Sequence, residues 1–161
     1  MMKRLQVCVC GARNLRDTDM LSLPDAYCSV RVGDKTVKTK VVHNNCDPVW
    51  NETFRFNLTD ETNTQVCIEL WDKNVLTEDI LGSYCFSLSS LTMGIVEDSW
   101  FLLSHSKTDA EIHIRVLACD FGRKPDASLL WMMTSDINAC PAADINSQLH
   151  AVPDAVVLSA S

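Results

Sequence analysis

Residues 47–58 read DPVWNETFRFNL. Asp47-Pro48 is turn chemistry, because proline fixes its own φ and biases the residue before it away from helix. Behind the turn, Phe54, Phe56 and Leu58 recur at every second position, with Arg55 and Asn57 between them. That period sets three apolar side chains on one face of a pleated strand and polar ones on the other. The stretch therefore opens a half-buried strand directly out of a turn.

The same alternation continues on both sides. RLQVCVC sets Leu5, Val7 and Val9 against Gln6, Cys8 and Cys10, and AYCSVRV sets Tyr27, Ser29 and Arg31 against Cys28, Val30 and Val32. TVKTKVV sets Val37, Thr39 and Val41 against Lys38 and Lys40, and QVCIELW aligns Val66, Ile68 and Leu70. LGSYCFSL, SWFLL and AEIHIRVLA, with Ile112, Ile114 and Val116 on one face, bring the count to eight. Gly33-Asp34, Thr59-Asp60 and Met93-Gly94 supply turns between them. Eight short strands without a long amphipathic helix predict an all-β, eight-stranded antiparallel sandwich over residues 1–120. Beyond that point the alternation stops. Residues 121–161, rich in Ala, Ser, Asp and Pro, read as a poorly structured tail, disordered or weakly helical.

The chain has 161 residues, 47% of them hydrophobic, with a net charge of −7. It is long enough to bury a core. The negative charge argues against nucleic-acid binding, which needs a basic surface. It also argues against a purely electrostatic grip on anionic lipid. Eight cysteines are scattered without a CxxC pair or a His/Cys cluster, so they read as free thiols serving as small hydrophobes in a cytosolic protein. MMKRLQVCVCGA reads as the first strand rather than a secretory leader, since its apolar run is brief and contains Gln6.

Three loops concentrate acids and amides. RDTDMLSLPDAY holds Asp19 and Asp25, VVHNNCDPVWNE holds Asn44, and LWDKNVLTEDILG holds Asp72, Asn74, Glu78 and Asp79. Loops at one end of a sandwich cluster, and clustered carboxylates repel unless a cation joins them. Calcium, with many oxygen ligands and tolerant geometry, suits such loops best.

These stretches resemble a C2 domain. DPVWNETFRF resembles that family's signature at its fourth strand, Asp19-x5-Asp25-Ala26-Tyr27 its first calcium loop, and WDKN…EDILG its third. The resemblance covers residues 3–118 and is nearest the C2 domains of group IV cytosolic phospholipases A2. It implies calcium as cofactor, with Asp19, Asp25, Asn44, Asp72 and Asn74 as side-chain ligands and Lys73 offering its backbone carbonyl. Glu78 or Asp79 is a weaker candidate. Ser22 stands where phospholipase relatives usually carry an acid. Met20, Leu21, Val75 and Leu76, flanking the ligands, are then the side chains that enter a membrane once calcium cancels the negative field. Lys35, Lys38 and Lys40 lie close together and are candidates for a lipid headgroup contact.

The reading that follows is a calcium-dependent phospholipid-binding module, monomeric, cytoplasmic and moving to intracellular, phosphatidylcholine-rich membranes when calcium rises. Its alternatives are a calcium-independent protein-interaction domain and a fragment of an active phospholipase A2. No Gly-x-Ser-x-Gly turn occurs, and His43, His105, His113 and His150 fall in separate segments, so this chain offers no catalytic site of its own.

Overall fold

A computed structural model describes residues 2–16, 22–59, 64–74 and 78–139. Eight strands run β1 Lys3–Arg13, β2 Ala26–Val32, β3 Lys35–Lys38, β4 Val49–Leu58, β5 Gln65–Lys73, β6 Glu78–Ser87, β7 Glu97–Leu102 and β8 Glu111–Ala118. They form two antiparallel four-stranded sheets in the orders β4-β1-β8-β7 and β3-β2-β5-β6. All eight predicted strands are present. Their alternation supplies the core: Leu5, Val7, Val9, Val30, Val66, Ile68, Leu70, Ile112 and Ile114 are at most 1% exposed and lie between the sheets.

The third strand is shorter than its alternation suggested. It ends at Lys38, where the regular ladder to β2 stops: Thr39 donates its N–H to Cys28 O (2.9 Å), but its side-chain Oγ1 rather than its carbonyl accepts the Cys28 N–H (2.9 Å). Lys40 consequently lies beyond the strand rather than sharing a strand face with Lys38. The signature at the start of β4 has a positional role. The Trp50 indole N–H donates to Lys40 O (2.8 Å) and Glu52 Oε2 accepts the Lys40 N–H (2.9 Å), so β4 fixes the exit from β3. Pro48 O accepts from Ala12 N–H (3.0 Å), and a Cβ at Gly11 would sit 2.7 Å from that oxygen. Only glycine permits the approach that ties the second loop to the end of β1.

Outward residues of β1 and β8 are buried as well, and the segment after β8 explains part of this. Residues 119–139 fold back across one end of the β4-β1-β8-β7 sheet, with 3-10 turns at Ala127–Met132 and Ile137–Ala139. Ile137 is fully buried in a second apolar cluster with Cys8, Cys10, Leu117 and Cys119. Its N–H donates to Gln6 Oε1 (2.8 Å), and Gln6 Nε2 donates to Ser135 O (3.2 Å). Asp120 receives the Arg4 backbone N–H (2.8 Å) and Nε–H (2.9 Å). This clasp sits at the end of the sandwich where β1 begins and β8 ends. On the same face the Asp98 carboxylate bridges His113 Nε2 (2.5 Å) and Arg115 Nε (2.8 Å), with all three side chains 3–4% exposed.

Candidate functional site

At the other end of the sandwich, the ends of β1, β3 and β5 lead into the three acid-bearing loops. Asp25 is the joint between them. Its N–H donates to Asp72 Oδ1 (2.9 Å), and its carbonyl accepts from Lys73 N–H (2.8 Å). Its own Oδ1 accepts the Asn44 N–H (2.7 Å). One residue thus holds the first loop to the second and third. Asn44 reaches this bond with a left-handed backbone (φ 54°), a conformation asparagine tolerates well. His43 Nδ1 lies 3.6 Å from the same carboxylate oxygen.

Strand register separates the two weaker acid candidates by face. Asp72 lies opposite Asp79, and Lys73 opposite Glu78. Side chains alternate along a strand, so Asp72 and Asp79 share one face and Glu78 takes the other. Asn74 Nδ2 donates to Asp79 Oδ2 (2.9 Å), which keeps Asp79 with the acids. Glu78 instead accepts the Tyr27 hydroxyl proton at Oε1 (2.6 Å) on the outer face.

The acids perturb one another. Burial pushes the Asp72 carboxyl above its usual range; the Asp25 N–H opposes this, and the carboxylates of Asp25 and Asp79 add to the rise. A bound cation would reverse that repulsion. The donors on this side are carboxylate, amide and backbone oxygens, which suit a hard divalent ion of the calcium type. Among the described residues no group of three or more His, Cys, Asp or Glu side chains converges at metal-binding spacing. Asp19, the further acid expected here, lies outside the described residues, as do Met20, Leu21, Val75 and Leu76.

Residues 3–103 match the family model described as the C2 domain. The chain belongs to the C2 domain family. Human Ras GTPase-activating protein 4B is 32% identical over 68% of this C2 domain chain and 14% of its own length. Human cytosolic phospholipase A2 zeta is 36% identical over 63% of the chain and 12% of its own length. Human GIVD cytosolic phospholipase A2 in complex with methyl gamma-linolenyl fluorophosphonate superposes with a TM-score of 0.66 at 26% identity, over 75% of this chain and 18% of that one. The chain therefore spans less than a fifth of each of these relatives. Its kinship is shared between phospholipase and other C2-containing proteins. Among the described residues no helix is long and apolar enough to cross a membrane.

The C2 domain also carries a groove of about 300 Å³ on the outer face of the β3-β2-β5-β6 sheet, between Tyr27, Lys38, Glu69, Trp71 and Glu78. Of the three lysines singled out in the sequence, Lys38 enters it, with Nζ 5.6 Å from the Tyr27 ring centroid. Lys35 and Lys40 are exposed and do not line it. Two glutamates against one lysine leave the groove acidic. Its aromatic wall was not singled out from sequence, although the alternation that aligns Tyr27 with Ser29 and Arg31 identifies the outward face.

Proposed function

We propose that this C2 domain is a calcium-dependent phospholipid-binding module that carries its protein from the cytoplasm to intracellular membranes. The observation that supports it is the Asp25–Asp72 joint. It brings acids of the first and third loops, and the second loop's Asn44, to one end of the sandwich. In this reading Asp19, Asp25, Asn44, Asp72 and Asn74 hold calcium, Lys73 offers its carbonyl, and Asp79 lies close enough to contribute. Met20, Leu21, Val75 and Leu76 then enter the membrane. The acidic groove argues that Lys35, Lys38 and Lys40 make at most a secondary headgroup contact. Apolar burial is the main grip, and a neutral, phosphatidylcholine-rich surface the preferred one. Kinship with cytosolic phospholipase A2 zeta makes a phospholipase A2-like protein the natural parent, with the chain acting as a monomer.

Replacing Leu21 and Leu76 by alanine tests the insertion. Each substitution removes apolar burial of about 2 kcal/mol at most, so vesicle affinity falls by up to about thirtyfold per site while calcium affinity in solution holds. Equal loss of calcium affinity would place these leucines under the loops instead. One observation favours a second reading, a calcium-independent protein-interaction domain: Ser22 is exposed and brings no charge to the first loop. Calcium calorimetry on the free chain separates the two, since only the first reading predicts heat of binding that Asp72→Asn removes.

A further inference from the structure

CVC at residues 8–10 draws attention as a thiol pair in the sequence, but the fold assembles a second pair from residues eighteen apart. Cys67 on β5 lies directly opposite Cys85 on β6, and Arg31 on β2 lies directly opposite Cys67. Thr36 on β3 completes the row across the sheet. Directly opposed residues of an antiparallel pair have Cα atoms about 4.5–5.5 Å apart, inside the range of about 4.4–6.8 Å that a disulfide spans. Both cysteines are free, Cys67 half-buried and Cys85 exposed. Directly opposed residues present their side chains on the same face, so Arg31, Cys67 and Cys85 stand side by side on the outer face of the sheet.

We infer that Cys67 and Cys85 form a redox site on the outer face of the β3-β2-β5-β6 sheet, in which hydrogen peroxide converts the cross-strand thiols into a disulfide. The geometry divides the roles. Cys67 lies between Arg31 and Cys85 in the cross-strand row, so the cation stands beside Cys67, which is assigned the role of nucleophile. Partial desolvation and the neighbouring Cys67 push the Cys85 thiol up to about 11, so it stays protonated as the resolving partner. The Cys67 thiolate attacks one peroxide oxygen; an S–O bond forms, the O–O bond breaks, and the leaving hydroxide takes a proton to become water. Cys85 then gives up its proton and attacks the Cys67 sulfenic acid; the S–S bond forms and a second water leaves. Two thiols lose two electrons and two protons, and one peroxide becomes two waters.

The other pair is less suited. Cys8 and Cys10 have sulfurs 3.7 Å apart, and the Cys10 thiol and Thr53 favour the Cys8 thiolate, holding it at about 6 against the opposing effect of burial. Yet both are 5–6% exposed, in the cluster that Ile137 seals, which shields them from solvent oxidant. Cys67 and Cys85 have no such cover. The redox inference uses no calcium ligand and stands whether or not the chain binds calcium.

The test is graded oxidation of the folded chain with hydrogen peroxide, followed by differential alkylation and peptide mass mapping. The first bridge to form should be Cys67–Cys85, and a thiol reductant should reverse it. Cys85→Ser should leave a sulfenic acid on Cys67 that dimedone traps. Arg31→Ala should slow bridge formation several-fold with an unchanged circular dichroism spectrum. In urea the preference for this pair should vanish, because the register that creates it is gone. A Cys8–Cys10 bridge forming first would overturn the inference. So would Cys67 and Cys85 remaining reduced while other thiols react, or the same bridge pattern with and without urea.

Discussion

The Asp25 backbone N–H donates to Asp72 Oδ1 at 2.9 Å, so a residue of the first loop holds a carboxylate of the third in place. The bond uses the backbone of Asp25 and leaves its carboxylate to meet the second loop, where Asn44 N–H binds it at 2.7 Å. Two acids are thereby fixed at one end of the sandwich before any cation arrives.

Asp25→Asn and Asp72→Asn should therefore differ in kind. Asp25→Asn retains the N–H to Asp72 and an oxygen for Asn44, so the loops stay joined while one negative charge is lost. Calcium affinity should fall by at least about tenfold, since affinity follows ligand charge, with the folded stability changed little. Asp72→Asn removes charge where burial and neighbouring acids already work against it, so the calcium-free protein should gain stability as calcium affinity falls. Calorimetry and urea unfolding on the same samples check both.

If the chain binds calcium as proposed, Ser22 should set the stoichiometry. With no acid there, calorimetry should resolve one tight calcium and a second that is weak. Ser22→Asp should strengthen the weaker event and leave the tight one in place. Two equally tight ions in the unaltered chain would contradict this.

The clasp should be measurable as a separate unit of stability. Ile137→Ala removes a fully buried side chain and should cost about 2 kcal/mol. That is the low end for such substitutions, because the clasp can detach rather than strain the sandwich. Hydrogen exchange should then quicken at residues 134–138 and leave β2 and β5 unchanged. The Asp120 anchor gives the clasp an acid limit. Its carboxyl is held below the usual aspartate range, first by the Arg4 N–H and then by the Arg4 guanidinium. A depressed folded pKa means the contribution is complete above the ordinary aspartate value and is lost as pH falls through the depressed one. Exchange at the clasp should accelerate in that window, and Asp120→Asn should remove the pH dependence.

Asp98→Ala tests the buried polar bridge. It leaves His113 and Arg115 without the carboxylate between them on a face where all three are 3–4% exposed. The loss should be about 3–5 kcal/mol by chemical denaturation, well above that of any surface ion pair in the chain.

Much of this architecture is written locally. The strands are legible because Phe54, Phe56 and Leu58, or Val66, Ile68 and Leu70, repeat at the period of a pleated strand, and both sets line the core. The acid loops are legible because Asp and Asn gather in three separate turns. What the sequence conceals depends on partners distant along the chain. Ile137 gives no periodic signal, and its seat is made by Gln6, 131 residues away. Asp79 and Glu78 are neighbours in the sequence, and only the register against Asp72 and Lys73 assigns one to the acid cluster and the other to Tyr27. That register includes a bulge between Leu70 and Trp71, which no count of alternating residues discloses. The same pairing makes neighbours of Cys67 and Cys85.

The central claim is that calcium gates membrane binding, and sedimentation with phosphatidylcholine vesicles tests it most directly. The protein should pellet with vesicles in calcium, stay in the supernatant in excess chelator, and pellet equally well when salt is raised, because screening weakens exposed charge pairs but leaves apolar burial intact. Equal pelleting in calcium and in chelator would contradict the account.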